Sequence, residues 1–460
     1  MDSNTTPRRW IAAGLLVVLG SGPGLRAAEV RFEPAAEMRL FYDGYPQSAG
    51  GSVDQGQAAG ILLHSYSQVR TPRIDWETDL DLLREAHRVE SSLDVLDLTL
   101  RSGLTRRISE RSEFNFDVTA AQSTRGGIQS GPSVVIIPTI PGLTTQRVGA
   151  ALGAGLQMSP RNRFRWRVGG DTMRFADGET LAFDEVGNVV LQANQGVEAS
   201  VGWDYIFPQR SSIGLGYEAR HYWFELSPET RVQSVRGEMH SGIGHNMQWY
   251  ISAGPVQVEQ LDPLFPEPTN DVEVDTSVEV RTTPLSVLSI GAGRMISAGS
   301  GLGGVTRDQS VFAGWARRPL TGMTFLIVLG GWDQELLEPS TITTEQIDEA
   351  RYLELREEFL WGVGRSVWLG VNHAYRYVTG DPRIEAQYHM GGFVVRWDHR
   401  GREEPPFSHT AAGQRLAAAF RDRTRPRPAS PSEFTPIEER TEDRTGETSE
   451  EGSDGGSDER

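Results

Sequence analysis

The stretch that decides the fold is NQGVEASVGWDYIFPQRSSIGLGYEARHYWFE, residues 194–225. Val197, Ala199, Val201, Trp203, Tyr205 and Phe207 take every second position, with Glu198, Ser200, Gly202 and Asp204 between them. After PQR (208–210) the pattern restarts, setting Ile213, Leu215, Tyr217 and Ala219 against Gly214, Gly216, Glu218 and Arg220. Successive side chains of a strand point to opposite faces, so each segment has one apolar face and one polar face. The tight turn between them makes the pair a hairpin.

The same alternation extends outward in both directions. Phe114, Phe116, Val118 and Ala120 oppose Glu113, Asn115 and Asp117. Val272, Val274, Val278 and Val280 oppose Glu273, Asp275, Ser277 and Glu279. Such segments recur up to residue 397 and number about eighteen, within a range of roughly 16–18. Short connections such as TPR (71–73), GHN (244–246) and PLTG (319–322) alternate with long ones such as 44–55, 123–143 and 334–349. Alternating connection lengths and two-faced strands predict an all-β fold: a closed antiparallel transmembrane β-barrel with short periplasmic turns and longer extracellular loops. Closure pairs every strand edge, which matters in lipid because an unmet backbone group there costs several kcal/mol.

Composition agrees. Only 38% of the 460 residues are hydrophobic, and there are 51 glycines. A compact globular domain has more apolar residues than this. The absence of cysteine excludes a disulfide framework, a Cys-ligated zinc site and a lipoprotein anchor. Every basic residue is arginine. The net charge of −17 includes 3 − 11 = −8 from residues 433–460, and the mildly acidic remainder argues against nucleic-acid binding.

Three regions follow. Residues 1–28 read as a signal peptide, with Arg8 and Arg9, an apolar run too short to span a bilayer, and small residues at a cleavage site. Residues 29–400 are the barrel. Residues 401–460 are rich in Pro, Ser, Gly and acids and predict a disordered periplasmic tail. Together these place the chain in the outer membrane of a Gram-negative bacterium. Its partners there are outer-membrane lipid and lipopolysaccharide, the barrel assembly machinery during biogenesis, and a periplasmic partner reached through the tail.

Candidate functional residues are those facing the lumen. Asp75, Glu77, Asp79 and Asp81 line one acidic wall, and Glu273, Asp275 and Glu279 a second. Arg163, Arg165 and Arg167 form a basic wall, joined by Glu198, Arg220 and Arg236. Walls of one sign select and steer charged solutes in a water-filled pore; alternatively, acids and arginines on neighbouring strands pair as scaffolding. Trp166, Trp203, Tyr205, Phe207 and Trp223 suit interfacial girdles on the outer face. The apolar loop 125–146, with Val134, Ile136, Ile137 and Ile140, is expected to fold inward as a constriction. Three features break the pattern: Glu357 on an apolar face implies a bulge or a register error, Pro255 interrupts a strand, and MTFLIVLGG (323–331) is apolar on both faces. Gly299, Gly301 and Gly304 mimic a dinucleotide fingerprint without its helix. No catalytic motif, cofactor site or metal site is assigned, so no enzyme is expected.

Units such as ASVGWDYIFPQRSSIGLGYEAR (199–220) resemble large Gram-negative outer-membrane β-barrels, and are similar to the β-barrel porins associated with exopolysaccharide production. YHMGGFVVRW (388–397) resembles the last strand that the assembly machinery reads, through Gly392, Val395 and Trp397, while Met390 departs from it. The resemblance implies an outer-membrane channel for passive passage of solutes or export of a polysaccharide. The alternatives are a structural or adhesion barrel with a closed lumen that acts through loops and tail, or an outer-membrane barrel enzyme.

Overall fold

Strand pairing follows sequence order around a closed ring. The computed structural model describes residues 29–398 with breaks at 44–55, 89–93, 125–143, 176–179, 184–186, 191–192, 209–210, 226, 244–245, 262–267, 284–285, 298–303, 318, 321, 338–348 and 380–385. The expected signal peptide and tail, and the loop residues Val134, Ile136, Ile137 and Ile140, lie outside the described residues. The strands are β1 (Glu29–Asp43), β2 (Gly56–Arg70), β3 (Ile74–His87), β4 (Val95–Ser109), β5 (Ser112–Ser123), β6 (Thr145–Ser159) and β7 (Asn162–Phe175). Then come the short pair β8 (Thr180–Phe183) and β9 (Gly187–Val190), followed by β10 (Asn194–Ile206), β11 (Ser212–Phe224), β12 (Thr230–Ile243) and β13 (Met247–Gln260). The chain completes the ring with β14 (Thr269–Thr283), β15 (Ser286–Ser297), β16 (Thr306–Arg317), β17 (Met323–Leu336), β18 (Glu349–Gly362), β19 (Val367–Thr379) and β20 (Ala386–Asp398).

Eighteen of these form one antiparallel sheet, and β1 pairs with both β2 and β20, which closes it. The expected eighteen strands are therefore all present. The β8–β9 hairpin is an addition that no period-two signal marked; it sits in the connection between β7 and β10. Because the count is even, β1 begins and β20 ends at the end where the short turns lie. Gly322 shows why one of those turns is built as it is: its φ of 86° is a left-handed conformation that glycine adopts freely. This lets Met323 N–H donate to the Leu320 carbonyl at 3.0 Å and start β17.

The apolar face is the exposed one, inverting the burial of a soluble protein. Val197, Val201 and Trp203 on β10 are 46%, 46% and 44% exposed, while Gly202 between them is buried. The rings of Trp203, Tyr205 and Phe207 step along the outer face, with centroids 6.4 and 5.0 Å apart, towards the turn at 207–211. Trp166 and Trp223 share that outer face. Two outer tryptophans near the same end satisfy their N–H on a neighbouring strand: Trp76 donates to Ser102 Oγ at 2.9 Å, and Trp315 to Ser286 Oγ at 3.0 Å. An aromatic body with a paired polar tip suits the boundary between hydrocarbon and water.

The three irregularities resolve differently. Glu357 requires no bulge: β18 pairs in unbroken register with β17 and β19, and the carboxylate stays on the outer face, 3.5 Å from His373 Nδ1. Pro255 does not end its strand. The pairing of β13 with β12 omits Gly254 and Pro255, opposite Val235 and Arg236, and resumes in the same register. In β17 the inward Leu326 and Val328 are 7% and 5% exposed and pack with Ala316 and Trp332, so the second apolar face lies inside the barrel.

Candidate functional site: the inner face of the barrel

The inner face divides into four sectors. On β3 the carboxylates of Asp75, Glu77, Asp79 and Asp81 stand in a column. Their inward neighbours on β2 are Arg70, Gln68, Tyr66 and His64. Arg70 pairs with Asp75 at 2.8 Å, Gln68 donates to Asp75 and Glu77 at 2.9 and 3.1 Å, and His64 Nδ1 lies 2.6 Å from Asp81. From β2, one arginine and three neutral or weakly basic groups face the four acids; from β4, Arg101 stands opposite Asp79, with Thr105, Gly103 and Thr99 opposite the others. The side chain of Asp79 remains 42% exposed.

The second sector, from β5 to β14, is an ion-pair ladder. Arg163 is 5% exposed and binds Glu113, itself 5% exposed. Arg165 bridges Asp204 at 3.3 Å and Glu238. Arg167 lies 3.3 Å from Glu198 and 3.6 Å from Asp117. Arg236 binds Glu218, which also takes Arg220. Inward glycines make room for these guanidinium groups: a Cβ at Gly202 would come within 2.8 Å of Arg165 Nε, and one at Gly155 within 2.9 Å of an Arg163 terminal nitrogen. The basic wall is thus a set of paired charges, met by acids on the adjoining β10 and, across the inner face, on β5 and β12.

The third sector is a lap joint, which the sequence reading missed. The pairing of β14 with β15 stops at Val274 and Arg294, although β14 runs back to Thr269 and β15 on to Ser297. Beyond that point the outer face of the β15–β16 tip rests on the inner face of β11–β14. Ile296 belongs by alternation to the outer row of Leu288, Ile290 and Ala292. It is nevertheless 1% exposed, packed with Val232, Val256, Val258 and Val305, with Tyr222 and Phe224 alongside.

Polar groups fasten the tip. Arg220 donates to the Ile296 carbonyl at 2.6 Å, and Glu273 accepts from the Ile296 N–H at 3.2 Å and from Arg220 at 3.1 Å. Asp271 binds Arg294 and Arg307, the latter at 2.6 Å. These side chains stand in for the backbone partners that β15 loses. Of the expected second acidic wall, Glu273 is thereby consumed inside the joint at 3% exposure, while Glu279 stays 43% exposed with Arg281 3.6 Å away. Asp275 shares their face.

The fourth sector spans the closure of the ring. Glu37 and Arg396 are register partners across β1 and β20 and are ion-paired; Glu358 lies 3.5 Å from Arg396 and Arg39 also binds Glu37. Leu360, Trp368 and Val394 pack beside them at 0%, 1% and 1% exposure. None of Glu37, Arg396 or Glu358 was singled out by sequence, because alternation places a charge inside without naming its partner. Among the described residues, no group of three or more His, Asp or Glu side chains is arranged to hold a metal.

No protein-family model and no curated protein matches the sequence. Solved structures overlap it loosely. OccK2 (OpdF) of Pseudomonas aeruginosa, solved with glucuronate, is 13% identical with a TM-score of 0.41, covering 80% of this chain and 98% of that one. OpdL of Pseudomonas aeruginosa is 11% identical with a TM-score of 0.38, over 80% and 98%. The siderophore receptor PirA of Acinetobacter baumannii is 6% identical with a TM-score of 0.42, over 80% of each chain. The fold of the present chain stands on its own strand pairing: a closed eighteen-stranded barrel, apolar outside and charged within.

Proposed function

We propose that this chain is an outer-membrane channel that favours cations. The observation that carries the reading is the column on β3, where four carboxylates face two register arginines, Arg70 on β2 and Arg101 on β4. Elsewhere the inner charges are paired. At about 4.8 Å between strands and a tilt near 40°, eighteen strands enclose a ring roughly 35 Å across, wide enough for an aqueous path beside lining side chains. In such a path an excess of acid raises the local cation concentration. The outward apolar rows support membrane insertion. Export through residues 1–28 and folding by the barrel assembly machinery complete the reading. Polysaccharide passage is a narrower version that rests on the sequence resemblance, and no inner-face residue adds to it.

Reversal potential in a planar bilayer under a salt gradient tests the proposal. Cation preference is expected. Anion preference, or no conductance from protein whose gel mobility shows a folded barrel, overturns it. The second outcome would favour a closed structural barrel, a reading that the lap joint supports because its tip occupies the lumen. Cell fractionation that finds the protein free in the periplasm would refute the location.

A further inference from the structure

The short-turn end of the barrel carries a one-signed surface that the channel reading does not use. Arg73 flanks the β2–β3 turn, Arg106, Arg107 and Arg111 the β4–β5 turn, and Arg161 the β6–β7 turn; all five are exposed. Among the described residues of these three turns the one exposed acid is Glu110. At the opposite end of β3 and β4 the signs mix, with Arg88 beside Asp94. The arc has a recess as well as a charge: Arg107, Arg111 and Arg163 line a shallow hollow with Ser109, Ser112, Gln157 and one acid, Glu113.

We propose that this arginine arc is the docking surface for the acidic segment Glu433–Arg460 of the same chain. Charge complementarity is the first argument, since that segment carries eleven acids and three arginines, 3 − 11 = −8. Placement is the second. The chain leaves β20 at Asp398, on the same end as the arc, and β20 adjoins β1, which adjoins β2. The β4–β5 turn is four to five strands away, about 25 Å at roughly 4.8 Å per strand. The 34 residues between Asp398 and Glu433 would reach about 30–35 Å if they follow the square-root rule. Tethering at a matched reach gives an effective concentration in the millimolar range, so weak ion pairs and hydrogen bonds from Ser109, Ser112 and Gln157 suffice to hold it.

The cysteine-free chain permits a clean test with the full-length protein in detergent. One variant carries Ser109→Cys with Ser453→Cys, and a control carries Asn246→Cys on the β12–β13 turn with the same tail cysteine. Disulfide formation at Ser109 is expected to exceed the control severalfold in about 50 mM salt and to fall several-fold at about 0.5 M, where the screening length shrinks to a few ångströms. Two further variants should abolish the excess: Arg73→Gln/Arg106→Gln/Arg111→Gln in the arc, and neutralisation of Glu450, Glu451, Asp454, Asp458 and Glu459 in the segment. The second leaves the barrel untouched, so a folding defect cannot produce its result. Cross-linking that ignores salt and both neutralisations overturns the proposal. So does a pattern in which the arc variant loses only its retention on phosphatidylglycerol vesicles, which would assign the arc to lipid headgroups.

Discussion

Strands β3 and β7 are alike in sequence design and opposite in outcome. Each carries a run of like charges on its inner face, four acids on one and three arginines on the other. On β7 the adjoining β10 supplies Glu198 and Asp204, and strands further round supply Glu113 and Asp117 from β5 and Glu238 from β12, so no arginine stands alone. On β3 the neighbour β2 supplies Gln68, Tyr66 and His64 with Arg70 at one end, and β4 supplies Arg101 opposite Asp79, so two arginines stand against four acids. The charge a strand presents to the lumen is therefore decided by the strands around it. A wall whose charges balance is scaffolding, and one with an excess of one sign sets a field.

The largest expected effect tests the scaffolding half of that comparison. Arg163→Ala takes from buried Glu113 the buried cation bound to it and leaves the exposed Arg107 opposite it in register, so the cost approaches the roughly 3–5 kcal/mol of a broken buried pair. The midpoint of the heat-dependent gel-mobility shift should drop accordingly. Replacing both partners, Arg163→Met with Glu113→Leu, should recover most of the loss, because the penalty lies in the orphaned charge. An Arg163→Ala barrel as stable as the parent would show that the ladder holds nothing together.

The lap joint gives the next effect, on conductance. Ile296→Cys with Val256→Cys joins two members of one packed cluster. Oxidation should fix the tip in the lumen, and reduction should raise single-channel conductance if the tip moves. Continuing the β14–β15 register, in which Val274 faces Arg294, would set Asp271 opposite Ser297. Cysteines at those two positions should trap the tip in the wall and give the wider pore. Equal conductance for both cross-linked forms would make the joint a fixed part of the wall. Smaller again is the effect on β3: Asp79→Asn with Asp81→Asn should lower the cation-to-anion permeability ratio about two- to threefold, with stability falling by about 0.5–1.5 kcal/mol as the contact of Asp81 with buried His64 loses its charge.

Alternation made the strands legible, and with them the inside and outside of each. It is a local signal, fixed by the pleat, so Asp75 and Arg163 were placed on the inner face from sequence alone. Partnership is not local. Arg165 meets Glu238, 73 residues away, and Arg396 meets Glu37 only because the ring closes. The lap joint was hidden for a related reason, since β15 keeps its alternation while the whole tip changes sides of the sheet. One trace was readable: Arg294 and Arg307 fall on the apolar rows of their strands, where a charge is costly unless the wall turns inward. Glu357 shows that the trace alone does not suffice, because it has the same anomaly and stays outside.

Glu357 supplies the finest test of the neighbour rule. Its flanking outer residues, Leu355, Phe359, Ile327 and Val371, are apolar, and its polar company is His373 at 3.5 Å and, beyond it, His389, whose ring nitrogen lies 3.4 Å from that of His373. Imidazole can donate to the carboxylate and pass the hydrogen-bond demand to the next ring, so the charge is shared rather than bare. A charge on the lipid face of a barrel costs most at the midplane, less for acids than for Arg or Lys, whose cost there is about 2–4 kcal/mol. Sharing with His373 should lower it further. Glu357→Leu is therefore expected to stabilise the barrel by about 1 kcal/mol or less in vesicle unfolding, against the several kcal/mol expected of a bare charge. His373→Leu, which strips the carboxylate of its partner, should destabilise it. If His373→Leu stabilises the barrel as much as Glu357→Leu does, the imidazoles do not support the carboxylate and the neighbour rule fails on the outer face.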